Sequence, residues 1–250
     1  MKSITLLLSA AAAVSGYQMS NYTAPTYPVI IPAPQNLEYH NQSVNISVIN
    51  PCYFAINIDT PAYYDKDSFS YVNNTVQWYV DKYIFFKGKA CPAPQENSTY
   101  LNLTSLNIVI TSNDKLMPDD LLKTNESYEL TVFESNITIV APQWSGVIRA
   151  LSTLAQLIKP PKLVDLYYTM AYAPLKIGDF PRYPYRGLML DTARRYYSVD
   201  SILQILDAMH IAKFNVFHWH LVEDESFPLE LKTFQNVHKN AAFKQGETYS

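Results

Sequence analysis

One arginine and a short acidic run are the residues here that could do chemistry. Arg194 follows an apolar run, Gly187-Leu188-Met189-Leu190, which closes on Asp191. Glu223-Asp224-Glu225 follows a second run, Phe214 to Leu221, rich in aromatic and branched residues. A cation set against carboxylates is raw material for a polar site, provided that the fold brings them together. His218 and His220 lie two apart on the second run and would point the same way on a strand. That pair could ligate a metal only with a third ligand, for which the nearby carboxylates are the candidates. We expect no metal and read both as core histidines or supporting partners, and His210 has less claim still. A plain solvated acidic loop, or an arginine–carboxylate pair that only braces the structure, is the competing account of Arg194 and Glu223-Asp224.

The elements between these residues decide the question. The Gly187–Leu190 run suits a strand buried on both faces. Ser198 can cap a helix, and Asp200 sits in its first turn, where a carboxylate favours the helix dipole. Val199, Ile202, Leu203, Leu206 and Met209 follow helical spacing, as one apolar stripe down to about Ala212. Strand, helix and strand in this length make a βαβ unit, whose strands should run parallel with a right-handed crossover. The loops leaving both carboxyl ends then share one face, where barrel enzymes build their sites. Arg194 and Glu223-Asp224 should meet there.

The segment resembles the start of the catalytic barrel of family 20 glycoside hydrolases, the β-N-acetylhexosaminidases, in their eukaryotic lysosomal or secreted form. The family pattern is Arg-Gly, two or three apolar residues, Asp, two residues and Arg-His-Tyr. After a helix come Lys-Phe-Asn-x-x-His-Trp-His, an apolar pair, Asp-Asp and Ser-Phe-Pro. Here Arg186-Gly187, Asp191, Arg194, Lys213-Phe214-Asn215, His218-Trp219-His220 and Ser226-Phe227-Pro228 match it in order and spacing. Ala193 and Arg195 replace a small hydroxyl residue and the histidine, and Glu223 is one methylene longer than the family's Asp.

The resemblance implies that Arg194 grips sugar hydroxyls, and that Glu223, with Asp224, orients a histidine from a later strand. It implies retaining hydrolysis of terminal N-acetylhexosamine, in which the sugar's own 2-acetamido oxygen attacks the anomeric carbon. An Asp steers that group and the Glu beside it protonates the leaving oxygen, both after the fourth barrel strand. These 250 residues reach only the loop after strand two, so no catalytic residue is assigned in them and a polypeptide of these residues alone is expected to be inactive. The alternative from another class is a secreted non-enzymatic glycoprotein, or a partner subunit of a full-length hexosaminidase. No cofactor is implied. The expected partners are a glycan substrate and, since family members are often dimers, a second copy.

The front of the chain has a secretory address. Residues 1–16 hold one lysine, an apolar stretch from Ile4 to Val14 and then Ser15-Gly16, the layout of a signal peptide. The stretch is shorter than the roughly 20 residues that span a bilayer, so no membrane span is expected. The destination is the secretory pathway, lysosomal or extracellular. Sequons begin at Asn21, Asn41, Asn45, Asn73, Asn97, Asn102, Asn125 and Asn136, and none follows. Their segregation points to a glycan-covered front and a bare rear, with plain Asn and Ser richness as the bland alternative. Cys52 and Cys91 are the only cysteines. An even count in an oxidising compartment favours a bridge over two buried free thiols, with a contribution of roughly 4 kcal/mol in the chain-entropy model.

The apolar fraction of 48% allows a full core, and a formal charge of −3 gives no footprint for nucleic acid. Residues 17–177 read as an α+β domain, resembling the family's small non-catalytic domain. Strands are expected over 44–48, 52–58, 106–111, 128–133 and 136–140, with a linker strand over 164–170. Helices are expected from about 70 to 85 and from Trp144 to just before Pro160-Pro161. Residues 178–250 are then strand 1, helix 1 and strand 2 of a (β/α)8 TIM barrel, incomplete here.

Overall fold

Alternation of apolar and polar residues builds the centre of the molecule. Ser105–Ile110, Tyr128–Phe133 and Asn136–Ala141 each bury every second side chain, as strands with one covered face do. The computed structural model describes residues 28–39, 47–62, 64–86, 101–112, 121–161, 167–244 and 246–250. In chain order the strands described are β1 (Asn36–Tyr39), β2 (Ser47–Ile49), β3 (Ala55–Asp59), β4 (Leu101–Leu103), β5 (Ser105–Ile110), β6 (Tyr128–Phe133), β7 (Asn136–Ala141), β8 (Ile158–Lys159), β9 (Tyr168–Met170), β10 (Leu175–Asp179), β11 (Gly187–Asp191) and β12 (Val216–His220). The helices are α1 (Lys66–Tyr79), α2 (Trp144–Leu157), α3 (Val199–Ile211) and the short α4 (Val237–Ala241).

A mixed sheet runs β1-β10-β6-β7-β5-β3 and a smaller one β4-β2-β9-β8, and among the described residues β11 pairs with β12 alone. The inner face of the six-stranded sheet, including Leu106, Ile108, Leu130, Ile137, Ile139 and Ile177, packs in one cluster with Val147, Leu151 and Leu154 of α2 and Val72, Val76 and Tyr79 of α1. Asp65 caps α1 by accepting from Ser68 N at 2.7 Å. A Cβ on Gly146 would lie 2.2 Å from the Ser127 carbonyl oxygen, so glycine lets α2 lie close to the chain entering β6.

Several expected boundaries moved for local reasons. The strand expected from Cys52 opens instead as a 3-10 turn, Pro51–Tyr53, because the Asn50 side chain accepts from Cys52 N. The helix expected from about residue 70 starts a turn earlier at Lys66 and widens into a π turn over Val80–Ile84. β1 and β10 were not expected: β10 is short and lies between Pro174 and Pro181, yet it completes the large sheet. The linker strand is seen as β9, in the smaller sheet; residues 162–166 lie outside the described residues. So do residues 1–16, Asn21, Asn41, Asn45, Cys91 and Asn97. Among the described residues there is no free cysteine, and no helix is long and apolar enough to cross a membrane.

The βαβ unit departs from expectation in its packing. β11 is not buried on both faces: Leu188 is 40% and Met189 56% exposed. Of the α3 stripe only Ile202 and Met209 are buried, while Val199, Leu203 and Leu206 face out. Among the described residues no further strand or helix layer covers these faces.

A buried polar seam joins this unit to the sheets before it. Glu126 accepts from Arg149 Nε of α2 at 2.7 Å and from Arg186 Nη2, just before β11, at 2.5 Å. Arg186 Nε also donates to the Lys213 carbonyl at 2.8 Å. Lys213 Nζ reaches Asp179 at 2.8 Å and Tyr128 Oη at 3.0 Å. Asn215 Oδ1 accepts from Arg186 N, and its Nδ2 donates to the Pro184 carbonyl. Beside the seam, His210 of α3 packs against the rings of both Tyr79 and Tyr83, which also touch each other, with Asp207, Lys82 and Arg149 as its charged neighbours. Burial first, then the Arg149 charge, lowers its pKa to about 4.

Two outcomes are expected. Glu126→Ala leaves two guanidinium groups without their shared acceptor and should destabilise the chain by about 3–5 kcal/mol in chemical denaturation; an unchanged midpoint would contradict the seam. Because His210 is harder to protonate when folded, the unfolded chain takes up the extra proton as pH falls from about 6.5 toward about 4. Stability from this group is therefore present above that window and declines within it. Tm measured at pH 7 and pH 4.5 should differ less in His210→Phe than in the parent.

Candidate functional site

β11 and β12 pair in parallel with Asp191 opposite His220, so the chain leaves both at one rim. Asp191 Oδ1 accepts from the backbone N–H of Ala193 at 3.0 Å and of Arg194 at 3.2 Å, which turns the chain back on itself. Its Oδ2 accepts from Arg194 Nη1 at 2.7 Å. From the other strand, Glu223 Oε1 accepts from Arg194 Nε at 2.9 Å, and Oε2 accepts from Nη2. This is the planar fork that arginine makes with a carboxylate.

Three of the five guanidinium N–H groups are thereby used, which leaves one on each terminal nitrogen. The arginine side chain is 57% exposed and the Glu223 side chain only 8%, so the acid lies beneath and the cation faces outward. Partial desolvation acts to raise the Asp191 pKa, but hydrogen bonds from the Arg194 backbone and side chain outweigh it and hold the carboxyl below its usual range. Desolvation likewise opposes the Arg194 charge, and the Asp191 and Glu223 contacts outweigh it and raise its pKa.

The surroundings tie this rim down. Trp219 Nε1 donates to the buried Thr192 Oγ1 at 2.7 Å. Tyr249 stacks on Tyr196 at 5.2 Å, meets Trp219 edge-on at 5.3 Å and hydrogen-bonds through its hydroxyl to both backbone groups of Tyr197. The segment after β12 thus folds back over the rim, enclosing a depression of about 230 Å3 lined by Arg194, Arg195, Ser226, Phe243, Lys244 and Glu247, among others.

Of the residues singled out from sequence, Arg194 and Glu223 meet directly. Asp224 is exposed, and the hydrogen bonds of Arg194 go to Glu223 and Asp191. His220 Nε2 lies 3.7 Å from Glu223 Oε2, whereas His218 is exposed. Asp191 was read only as the end of a strand; the Asp-x-x-Arg spacing after an apolar run was the signal for its second role. Nothing local marked Tyr249, which acts from 52 residues beyond its partner Tyr197.

Comparison with known proteins supplies the family. Residues 30–157 match the family model described as β-acetyl hexosaminidase like. Residues 183–250 match the glycosyl hydrolase family 20 catalytic domain. The chain belongs to glycosyl hydrolase family 20. It is 34% identical over 224 residues to β-hexosaminidase subunit B1 of Dictyostelium discoideum, covering 89% of this chain and 36% of that protein. It is 37% identical over 166 residues to β-hexosaminidase subunit beta of Felis catus, covering 66% of this chain and 30% of that one. The chain therefore spans about a third of the length of these curated relatives. Among solved structures, the Flavobacterium johnsoniae chitobiase superposes with a TM-score of 0.62 at 30% identity, over 88% of this chain and 30% of that one. A family 20 exo-β-N-acetylglucosaminidase of Vibrio harveyi shares the fold, with a TM-score of 0.59 at 22% identity, over 89% and 30%.

Held in this fork, the Arg194 Nε–H should exchange slowly with solvent by 15N NMR. Glu223→Ala should speed that exchange by about tenfold or more, the scale of one hydrogen bond to a charged group. Equal rates in parent and variant would mean that the fork does not form.

Proposed function

We propose that these residues belong to a β-N-acetylhexosaminidase that removes terminal non-reducing N-acetylhexosamine from glycoconjugates by the retaining, substrate-assisted route. Residues 1–16 are the signal peptide, 17–177 the non-catalytic α+β domain, and 178–250 strand 1, helix 1 and strand 2 of the TIM barrel. The observation that carries this reading is the held guanidinium. Arg194 stands at the carboxyl ends of paired parallel strands, braced by two carboxylates, with one N–H on each terminal nitrogen left to meet sugar hydroxyls. The resemblance gives Glu223, with Asp224, the task of orienting a later histidine. The Glu223 carboxylate is engaged by Arg194 here, so the role supported for it is orienting the arginine. No cofactor or metal enters the chemistry.

The address and covalent features follow from the same reading: passage through the secretory pathway to a lysosome or the outside, a Cys52–Cys91 bridge, sequon glycosylation and a homodimer. The second reading is a non-enzymatic partner subunit. The exposed Leu188, Met189, Val199 and Leu203 are faces that another chain would cover under it, as later barrel strands would under the first.

The acid and the acetamido-steering Asp of the family fall beyond strand four, outside these 250 residues. A polypeptide of these residues alone is expected to give no turnover of a chromogenic N-acetylglucosaminide above the uncatalysed rate. Joined to the later strands of the family barrel, it should turn over, and Arg194→Ala should lower kcat/KM about 10²-fold by loosening the sugar. Substantial turnover by the 250 residues, or full activity of the Arg194→Ala protein, overturns the reading.

A further inference from the structure

The outer face of the six-stranded sheet carries an oriented chain of hydrogen bonds that ends on a sequon. Asn57 Nδ2 donates to Asn107 Oδ1 at 2.9 Å, Asn107 Nδ2 to Ser105 Oγ at 3.3 Å, and Ser105 Oγ to Asn136 Oδ1 at 2.7 Å. The two middle groups, Asn107 and Ser105, each accept on one side and donate on the other. The Asn136 oxygen is thus the atom held by Ser105, and its nitrogen takes no part in the chain. Asn136 is exposed, opens β7, and is followed two residues later by Thr138 on the same face. Directly across the hairpin, in register with Asn136, stands Phe133. Its ring is 59% exposed, on a sheet whose other phenylalanine-sized faces point inward or pack in pairs. The turn between them, Glu134-Ser135, is fixed: Glu134 has φ 51°, and the Ser135 carbonyl accepts from Thr104 N at 2.8 Å.

We infer that Phe133 is the docking ring for the first N-acetylglucosamine of a glycan on Asn136. Glycosylation at that atom is a balanced transfer from a lipid diphosphate oligosaccharide. Asn136 Nδ2 forms a bond to the anomeric carbon, the bond from that carbon to the diphosphate oxygen breaks, the lipid diphosphate leaves with the electron pair, and the amide proton goes to base. Directly opposed side chains of an antiparallel pair have Cβ atoms about 5 Å apart. A sugar joined to Asn136 therefore has its C–H face within reach of the electron-rich face of the phenyl ring. The ring is covered, and the hairpin gains a contact that the bare chain lacks. Among the other described sequons the setting differs. Asn73 lies within α1, Asn102 on the three-residue β4, and the Asn125 oxygen is bonded to the backbone and hydroxyl of its own Ser127.

The inference rests on the secretory address proposed above, and the test separates the two. The full chain is expressed in a secretory eukaryotic host, and occupancy at every sequon is read by mass spectrometry. Asn136 should be occupied, and trimming its glycan to a single N-acetylglucosamine should leave Tm unchanged. Asn136→Gln should lower Tm by roughly 2–4 °C, the scale of one ring contact in a chain of this size. In a Phe133→Ala background the same substitution should lower it by less, leaving only the loss of the Ser105 hydrogen bond; the ring is exposed, so that variant folds. Occupancy elsewhere with Asn136 bare overturns the inference alone. Occupancy at no sequon overturns it together with the secretory address. An equal loss of Tm with and without Phe133 overturns the docking.

Discussion

The rim depends on an unshifted parallel register. Asp191 lies opposite His220, so three further residues on one strand and three on the other bring Arg194 over Glu223, although 29 positions separate them in the chain. A slip of one residue would turn every side chain of β12 to the opposite face. Polar contacts at both ends oppose that slip. At the carboxyl end Trp219 is bonded to Thr192, and at the amino end Asn215 is bonded to both Arg186 and Pro184.

The amino end is also where the unit meets the sheets before it, and the chemistry there differs. Glu126, Arg149, Arg186, Asp179 and Lys213 lie in an interior where isolated charges would be costly, and each is paired. Burial pulls the Lys213 pKa down, against Asp179, which supports its charge. Buried ion pairs contribute little net stability compared with apolar packing, yet losing one partner is severe. Their effect here is geometric. A shift of β11 and β12 would break the contacts of Glu126 and Lys213 together, so the seam holds the direction in which the opposite rim points.

Much of this was legible in the sequence, and what was missed has physical causes. β6 and β7 alternate strictly and were located to within a residue, and Ser198 marked the start of α3. β10 was hidden because five residues flanked by prolines carry too little pattern to read as a strand. The motif residues Arg186 and Lys213 were recognised without a role, since their partners Glu126, Asp179 and Tyr128 lie far away in sequence. The Arg194–Glu223 approach could be derived from topology alone. The third partner, Asp191, could not, because a carboxylate at a strand end reads equally well as a turn former.

The longer Glu223 makes sense of this arrangement. An acid with one more methylene than the family's Asp can reach back across the rim and lie in the plane of the guanidinium, where its two oxygens accept two parallel bonds. A lysine at 194 could not reproduce that, since its ammonium is a point charge with no planar fork. With Asp191 fixing Nη1 and Glu223 fixing Nε and Nη2, the guanidinium plane cannot rotate without breaking a charged bond. The two N–H groups that remain are therefore aimed before any ligand arrives. Under the proposed function, a sugar hydroxyl bonding to them would meet a side chain already ordered, so the cost of ordering it is not subtracted from binding.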